Sequence, residues 1–233
     1  MPQHIGIAAC SAEGAALCFR TICLEGEALM GEHWHPEVTM HVHPLGQYME
    51  HLGRGDWPGV ATLMLSSAKK LAGAGADFII CPDNTIHQAF DLVVGKSPRP
   101  WLHIAEVVAT AAKESGYRRL GVLGTRLLME GPVYPAYLER AALEYDLPGL
   151  AERERINEII FQELVKGVLR TNSRAEMRTI IERLGKKGCD AVILGCTELP
   201  LLIEQSDSPL PILDSTRLLA RAALRRAVTG TEV

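Results

Sequence analysis

The chain has 233 residues, 47% of them hydrophobic and 22% charged, with a formal net charge of -4. It is long for one average domain, short for two, and apolar enough for a sizeable core. No stretch approaches the roughly 18 uninterrupted apolar residues of a membrane span, no basic stripe is present to neutralise phosphates, and Met-Pro-Gln-His carries no Lys or Arg ahead of the first apolar run. Neither a membrane nor nucleic acid is therefore expected as a partner, and a cytoplasmic location is the expectation. The six cysteines, Cys10, Cys18, Cys23, Cys81, Cys189 and Cys196, include no CxxC pair. That disfavours structural zinc and a thioredoxin-type redox motif, and leaves free thiols, most of them buried.

Apolar runs rich in Ile, Val and Leu alternate with segments of helical period, the pattern of βαβ units whose parallel sheet is covered on both faces. In chain order the expected strands are residues 5–9, 38–43, 78–81, 101–103, 120–124, 191–194 and 212–213. A helix is predicted from Asp56, an N-cap with Pro58 close behind, through Val60, Leu63, Met64, Ala68 and Leu71, with Gly73 and Gly75 as the stop. A second is predicted over residues 151–169, with Ile156, Ile159, Ile160, Leu164 and Val168 on one face. His33-Trp-His35 and His41-Val-His43 are two HxH pairs, which in a strand would share a face as metal ligands could. No Cys or carboxylate joins them at ligand spacing, so no metal site is assigned. His43 ends a predicted strand, and His103 is read as satisfying loop hydrogen bonds.

The chain also repeats itself. LAGAGADFIICPDNT (residues 71–85) aligns without a gap on LGKKGCDAVILGCTE (residues 184–198), matching Leu71 to Leu184, Gly75 to Gly188 and Asp77 to Asp190. In that register Asp83 falls on Cys196. Two flanking islands keep nearly the same offset: Ile5-Gly6-Ile7 with Leu120-Gly121-Val122, and Pro98-Arg99-Pro100-Trp101-Leu102-His103 with Pro209-Leu210-Pro211-Ile212-Leu213-Asp214. The expectation is two similar α/β lobes related by pseudo-twofold symmetry, each with a mainly parallel sheet flanked by helices. The first is assigned residues 1–97 plus 215–233 and the second residues 98–214. The competing reading is that strand-loop-helix units resemble one another without common origin. In open parallel sheets ligands sit at the carboxyl ends of the strands, where both Asp83 and Cys196 fall. Lobes facing across a cleft would present one proton-transferring group to each side of a carbon, the requirement of a two-base racemase.

The segments Ile-Leu-Gly-Cys196-Thr197-Glu198-Leu and Cys-Pro-Asp83-Asn84-Thr85-Ile-His resemble the two cysteine motifs of the cofactor-independent aspartate/glutamate racemase family. The resemblance extends over the whole chain, through Pro-Trp-Leu-His-Ile-Ala, Leu-Gly-Thr125-Arg126 and Glu-Arg-Glu-Arg155-Ile-Asn-Glu-Ile-Ile-Phe, and is nearest to the broad-specificity L-aspartate/glutamate branch. It implies an isomerase with its active site in the inter-lobe cleft, racemising amino acids through a pair of thiols without pyridoxal phosphate or metal. It also implies a small carboxylate substrate and a homodimer. The chain departs from the pattern where Asp83 stands in place of the first thiol, Cys81 lies two residues earlier, and the opening loop reads Ala8-Ala9-Cys10-Ser11-Ala12-Glu13.

An unperturbed Asp is a weak base and an almost absent acid at neutral pH, so Asp83 would need its proton affinity raised, as burial beside a second anion could do. Cys196 is the expected base or acid for one face, its thiolate favoured by amides at the following helix start; the competing reading is a buried small residue. Asn84, Thr85 and Thr197, with Ser11 and Thr125 in similar loops after the first strand of each lobe, are the residue types that hold an α-carboxylate; they are equally the types that cap helices. Glu198 is read as orienting the Cys196 loop, holding a substrate ammonium, or serving a helix dipole. Arg155 matches a basic family position that faces a side-chain carboxylate, with a solvated helix arginine as the other reading. Single-thiol chemistry on the same fold (malonate decarboxylase, maleate isomerase or hydantoin racemase type) and carboxylate binding without turnover complete the expectations.

Overall fold

A computed structural model describes residues 2–230; the outermost ends of the two segments expected for the first lobe, Met1 and residues 231–233, lie outside the described residues. The chain divides into two compact units, Met1–Val107 with Thr216–Val233, and Val108–Ser215.

The first unit runs β1 (Ile5–Ala9), α1 (Ala12–Met30), β2 (Val38–Val42), α2 (Leu45–Leu52), α3 (Trp57–Gly73), β3 (Phe78–Ile80), a 3-10 turn (Thr85–Ala89), α4 (Phe90–Val94), β4 (Trp101–Leu102) and the start of α5 (Ile104–Glu114). Its strands are parallel in the order β2-β1-β3-β4. Alternation along the strands sorts the core onto two faces. Ile5, Ile7, Ala9, Phe78 and Ile80 pack with Ala15, Cys18 and Ile22 of α1, while Ala8, Cys10, Ile79 and Cys81 pack with Tyr48 of α2 and Val60, Met64 and Leu71 of α3. The helix predicted from Asp56 is α3, and the Asp56 carboxylate accepts from Gly59 N at 2.9 Å, a cap of about 1 kcal/mol.

The second unit continues with β5 (Arg119–Leu123), α6 (Arg126–Met129), α7 (Pro135–Arg140), β6 (Glu144–Asp146), α8 (Leu150–Gln162), α9 (Thr171–Lys186), β7 (Ala191–Leu194), α10 (Leu199–Leu202) and β8 (Ile212–Asp214). Its parallel sheet has the order β6-β5-β7-β8, the same topology as the first. α11 (Ser215–Thr229) returns to the first unit, where Leu219, Ala220 and Ala223 join the core of β1 and α1.

The sequence repeat has a hydrogen-bonded counterpart in each unit. Asp77 N donates to His4 O and its carboxylate accepts from His4 N, both at 2.8 Å; Asp190 N donates to Arg119 O at 2.9 Å and its carboxylate accepts from Arg119 N at 3.2 Å. Ile79 N donates to Pro100 O and Val192 N to Pro211 O. Ser97 and Ser208 each bond the carbonyl two residues on, Arg99 and Leu210. Gly75 and Gly188, at φ +100° and +93°, make the left-handed turns that let the chain leave the helix and reach the aspartate.

Two expectations change, one strand was not foreseen, and the HxH pairs find their places. The division falls after Val107, not at residues 97 and 98, because β4 pairs with β3: Ile79 faces Trp101 and Ile80 faces Leu102. The helix expected over residues 151–169 stops at Gln162, followed by a 3-10 turn at Leu164–Lys166 and Gly167 at φ +71°, so Val168 is an exposed loop residue and not part of the apolar face. β6 was not foreseen; it is an edge strand of polar and exposed residues held by Arg119 to Glu144 and Asp146. Of the HxH pairs, His33 and His35 lie in the loop between α1 and β2. His41 lies in β2 and His43 just beyond its end, and their ring nitrogens meet Ser67 at 3.0 Å and Ser66 at 3.2 Å. Among the described residues no group of three or more His, Cys, Asp or Glu could hold a metal ion, and no helix is long and apolar enough to cross a membrane.

Candidate active site

Each unit carries one loop of interest, at the carboxyl end of its second-innermost strand. In the first unit β3 ends at Ile80, and Cys81, Pro82, Asp83 and Asn84 lead into the 3-10 turn. Asp83 is held by its own surroundings. One carboxylate oxygen accepts from Ile86 N at 3.1 Å, and its carbonyl accepts from His87 Nδ1 at 2.7 Å and from the Cys81 thiol at 3.7 Å. His87 Nε2 in turn accepts from Ile104 N, so the imidazole is neutral with its proton on Nδ1. Burial pushes its pKa down to about 4, against the carbonyl bond that favours the charged form. Cys81 is completely buried, and that burial, with the Asp83 charge next in weight, pushes its thiol well up. It is a core residue, not a second-best thiol for the Asp83 position. Asn84 and Thr85 are buried beside Asp83, and Ser11 is buried at the loop after β1.

His87 is the residue that sequence reasoning passed over. The signal was its spacing, four residues beyond Asp83 in a turn, where a side chain reaches back to the carbonyl. His103 behaves as expected: Nδ1 accepts from Ala105 N at 3.2 Å, and the ring packs edge-on against His87 and Phe90. His43 is engaged with Ser66 at the β2–α3 surface.

In the second unit β7 ends at Leu194 and the loop Gly195-Cys196-Thr197-Glu198 leads into α10. The Cys196 thiol donates to Glu198 Oε2 at 3.0 Å, and the Thr197 hydroxyl donates to the same oxygen at 2.7 Å. All three side chains are buried. A carboxylate is one partner of the thiol, and it was not among the expectations, which named helix-start amides. It does not favour a neighbouring negative sulfur, but it is placed to take the thiol proton. Glu198 thus ties both side chains of the loop, Cys196 and Thr197, to one carboxylate oxygen.

The neighbouring loop after β5 approaches closely. Gly195 N donates to Leu123 O at 2.7 Å, and a Cβ on Gly195 would stand 2.9 Å from that oxygen and 2.5 Å from Leu128 Cδ2. A Cβ on Gly124 would stand 2.9 Å from Gly195 O. Thr125 caps α6, its hydroxyl accepting from Leu128 N at 3.2 Å.

Arg155 is engaged within its own unit. Its Nε and Nη2 bond the two carboxylate oxygens of Glu176 at 2.7 and 3.1 Å, and Nη1 reaches Glu158 at 3.2 Å, with Glu163 at 3.9 Å. Those hydrogen bonds hold the guanidinium firmly charged. Its carboxylate partners in the structure are glutamates of α8, α9 and the turn between them.

The sequence profile of the Asp/Glu/Hydantoin racemase family matches residues 24–223. The chain belongs to that family. The family is one of isomerases, and its resemblances reach across the chain. A protein of Yersinia pestis provisionally assigned as an Asp/Glu racemase is 31% identical, with a TM-score of 0.88 over 97% of this chain and 99% of that one. An aspartate racemase homologue from Pyrococcus horikoshii OT3 is also 31% identical, with a TM-score of 0.81 over the same shares. The broad specificity amino-acid racemase RacX of Bacillus subtilis is 25% identical over 165 residues, 69% of each chain. The Asp/Glu/hydantoin racemase fold thus accounts for both parallel sheets.

Proposed function

We propose that this enzyme racemises amino acids of the aspartate and glutamate class without a cofactor, with Cys196 and Asp83 exchanging protons at opposite faces of the substrate α-carbon. The observation that carries this reading is the Cys196–Glu198 pair. A thiol with a buried carboxylate 3.0 Å away can lose its proton, attack the α-hydrogen as thiolate, and later return a proton. Asp83 occupies the equivalent loop of the repeated topology. Asn84, Thr85 and Thr197, with Ser11 and Thr125, supply the donors for an α-carboxylate, while Arg155 for a side-chain carboxylate and Glu198 for the ammonium complete the proposed set. A cytoplasmic homodimer completes the proposal, and sedimentation tests its second half.

Asp83 also supports a second reading, in which only the thiol transfers protons. A carboxylate that accepts a backbone N–H, as Asp83 does from Ile86, is stabilised as the anion and is poorly suited to act as an acid. Single-thiol chemistry of the decarboxylase, maleate isomerase or hydantoin racemase type would use the same Cys196.

Deuterium exchange at the α-carbon of aspartate and glutamate in heavy water separates these. Exchange lost in both Cys196→Ser and Asp83→Asn supports two bases; exchange lost only in Cys196→Ser supports one. No exchange of any amino acid by the unmodified protein overturns the racemase reading.

A further inference from the structure

Within the first unit β3 and β4 are parallel neighbours, with Ile80 facing Leu102, so the loops that leave their carboxyl ends run side by side. His87 joins them. Its Nδ1 donates to the Asp83 carbonyl at 2.7 Å, in the loop after β3, and at a longer 3.5 Å its Nε2 accepts from Ile104 N, where α5 begins after β4. The ring is wedged between two others: it stacks on Phe90, with centroids 5.7 Å apart and planes 12° apart, and it meets the His103 ring edge-on at 4.7 Å. His103 is anchored in turn, its Nδ1 accepting from Ala105 N at 3.2 Å. Only 3% of His87 is exposed, so water is not at hand to replace a bond it loses.

What this arrangement holds is the backbone behind a short side chain. One carboxylate oxygen of Asp83 accepts from Ile86 N at 3.1 Å, a local side-chain bond that lasts only while the peptide at Asp83 keeps its orientation. Two printed donors reach the carbonyl of that peptide, the Cys81 thiol at 3.7 Å and the His87 imidazole at 2.7 Å. A thiol is a weak donor, so the imidazole is the stronger restraint, and it is also the one that carries the tie out of the loop to α5.

We infer that His87 is a positioning residue for Asp83: by locking the Asp83 carbonyl in place beside the start of α5, it keeps the Asp83 carboxylate in its bond to Ile86 N. His87 touches no reacting atom. The consequence for catalysis rests on the proposal that Asp83 transfers a proton, whereas the positioning itself is read without substrate.

Amide hydrogen exchange in the complete protein provides that reading. His87→Leu removes both bonds, His87→Asn puts a donor near the place of Nδ1 but leaves Ile104 unmet, and His87→Gln reaches toward the place of Nε2 but leaves the Asp83 carbonyl unmet. Exchange at the Ile86 amide is expected to quicken about a hundredfold in His87→Leu and His87→Gln and to stay within about tenfold of the unmodified protein in His87→Asn, while the amides of β1 keep their rates. If His87→Leu does not fold, the Asn and Gln variants decide. A packing role would quicken Ile86 and β1 together, and that result overturns the inference, as does an Ile86 amide unmoved in the folded variants. In turnover, His87→Leu is expected to lower kcat about a hundredfold with KM nearly unchanged, the scale of a misplacement near 1 Å, and His87→Asn to restore most of it; a kcat unmoved by His87→Leu overturns the positioning role in catalysis. Failure of the racemase reading would appear separately, as no α-exchange by the unmodified protein, and leaves the Ile86 readings intact.

Discussion

The two loops that end β3 and β7 sit at equivalent points of one repeated topology, yet their side chains are prepared for different work. Cys196 spends its proton on a carboxylate two residues away, so the group beside it is a proton acceptor. Asp83 accepts a backbone amide at one oxygen, and its carbonyl is clamped by His87 and Cys81, so the groups around it are donors. In one loop a thiol donates to a carboxylate, and in the other a carboxylate accepts from a backbone amide. A repeated backbone thus fixes where two groups stand while the local partners decide what each side chain bonds.

The comparison is broken most directly at the thiol. Cys196→Ser is expected to lower racemisation in both directions about a thousandfold, and Glu198→Gln about a hundredfold, the range of positioned acid–base catalysis; Asp83→Asn should lose less and unequally between enantiomers. Steady-state rates from each enantiomer measure this, and equal losses at the two loops would erase the proposed asymmetry.

His87 sharpens the Asp83 side. Its imidazole is neutral in the fold, with its pKa down at about 4 against an ordinary 6.5, whereas the unfolded chain takes up a proton as pH falls through 6.5. Stability is therefore unaffected by His87 above that pH and is lost between about 6.5 and 4, by about 3 kcal/mol in all. Chemical denaturation across this range should show a shallower loss in His87→Gln, and parallel curves would mean that the clamp is not buried as described.

On the Cys196 side, Gly195→Ala places a Cβ against Leu128 and the Leu123 carbonyl, and overpacking of that kind is expected to cost about 2 kcal/mol. A lowered melting temperature with a fall in activity is the expected pair of results. The smallest effect is expected at Arg155. Its partners are three glutamates on a partly exposed surface, so Arg155→Ala should cost about 1 kcal/mol of stability or less. A large rise in the KM for aspartate would show that the guanidinium leaves its glutamates for the substrate.

Much of the fold was legible because burial and pattern coincide. β1 and β7 match their expected limits, both being unbroken apolar runs with all residues buried, and Asp77 and Asp190 were visible as repeated letters before their shared bonding was. β6 was not legible, because Glu144, Tyr145 and Asp146 have no apolar signature and pair through backbone and ion pairs supplied by β5. The end of α8 was missed because Leu164 and Val168 continue a helical period that Glu163, at φ -121°, interrupts.

By itself the sequence determined two parallel sheets, the repeat that aligns Asp83 with Cys196, and the residue types available in each loop, because periodicity and motif spacing are properties of the chain alone. It left undecided what each of those side chains bonds. Only the tertiary structure joined Cys196 to Glu198, Arg155 to Glu176, and His41 to Ser67. Hydrogen bonds reach about 3 Å, and which groups come within that distance is set by the packing of elements far apart in the chain.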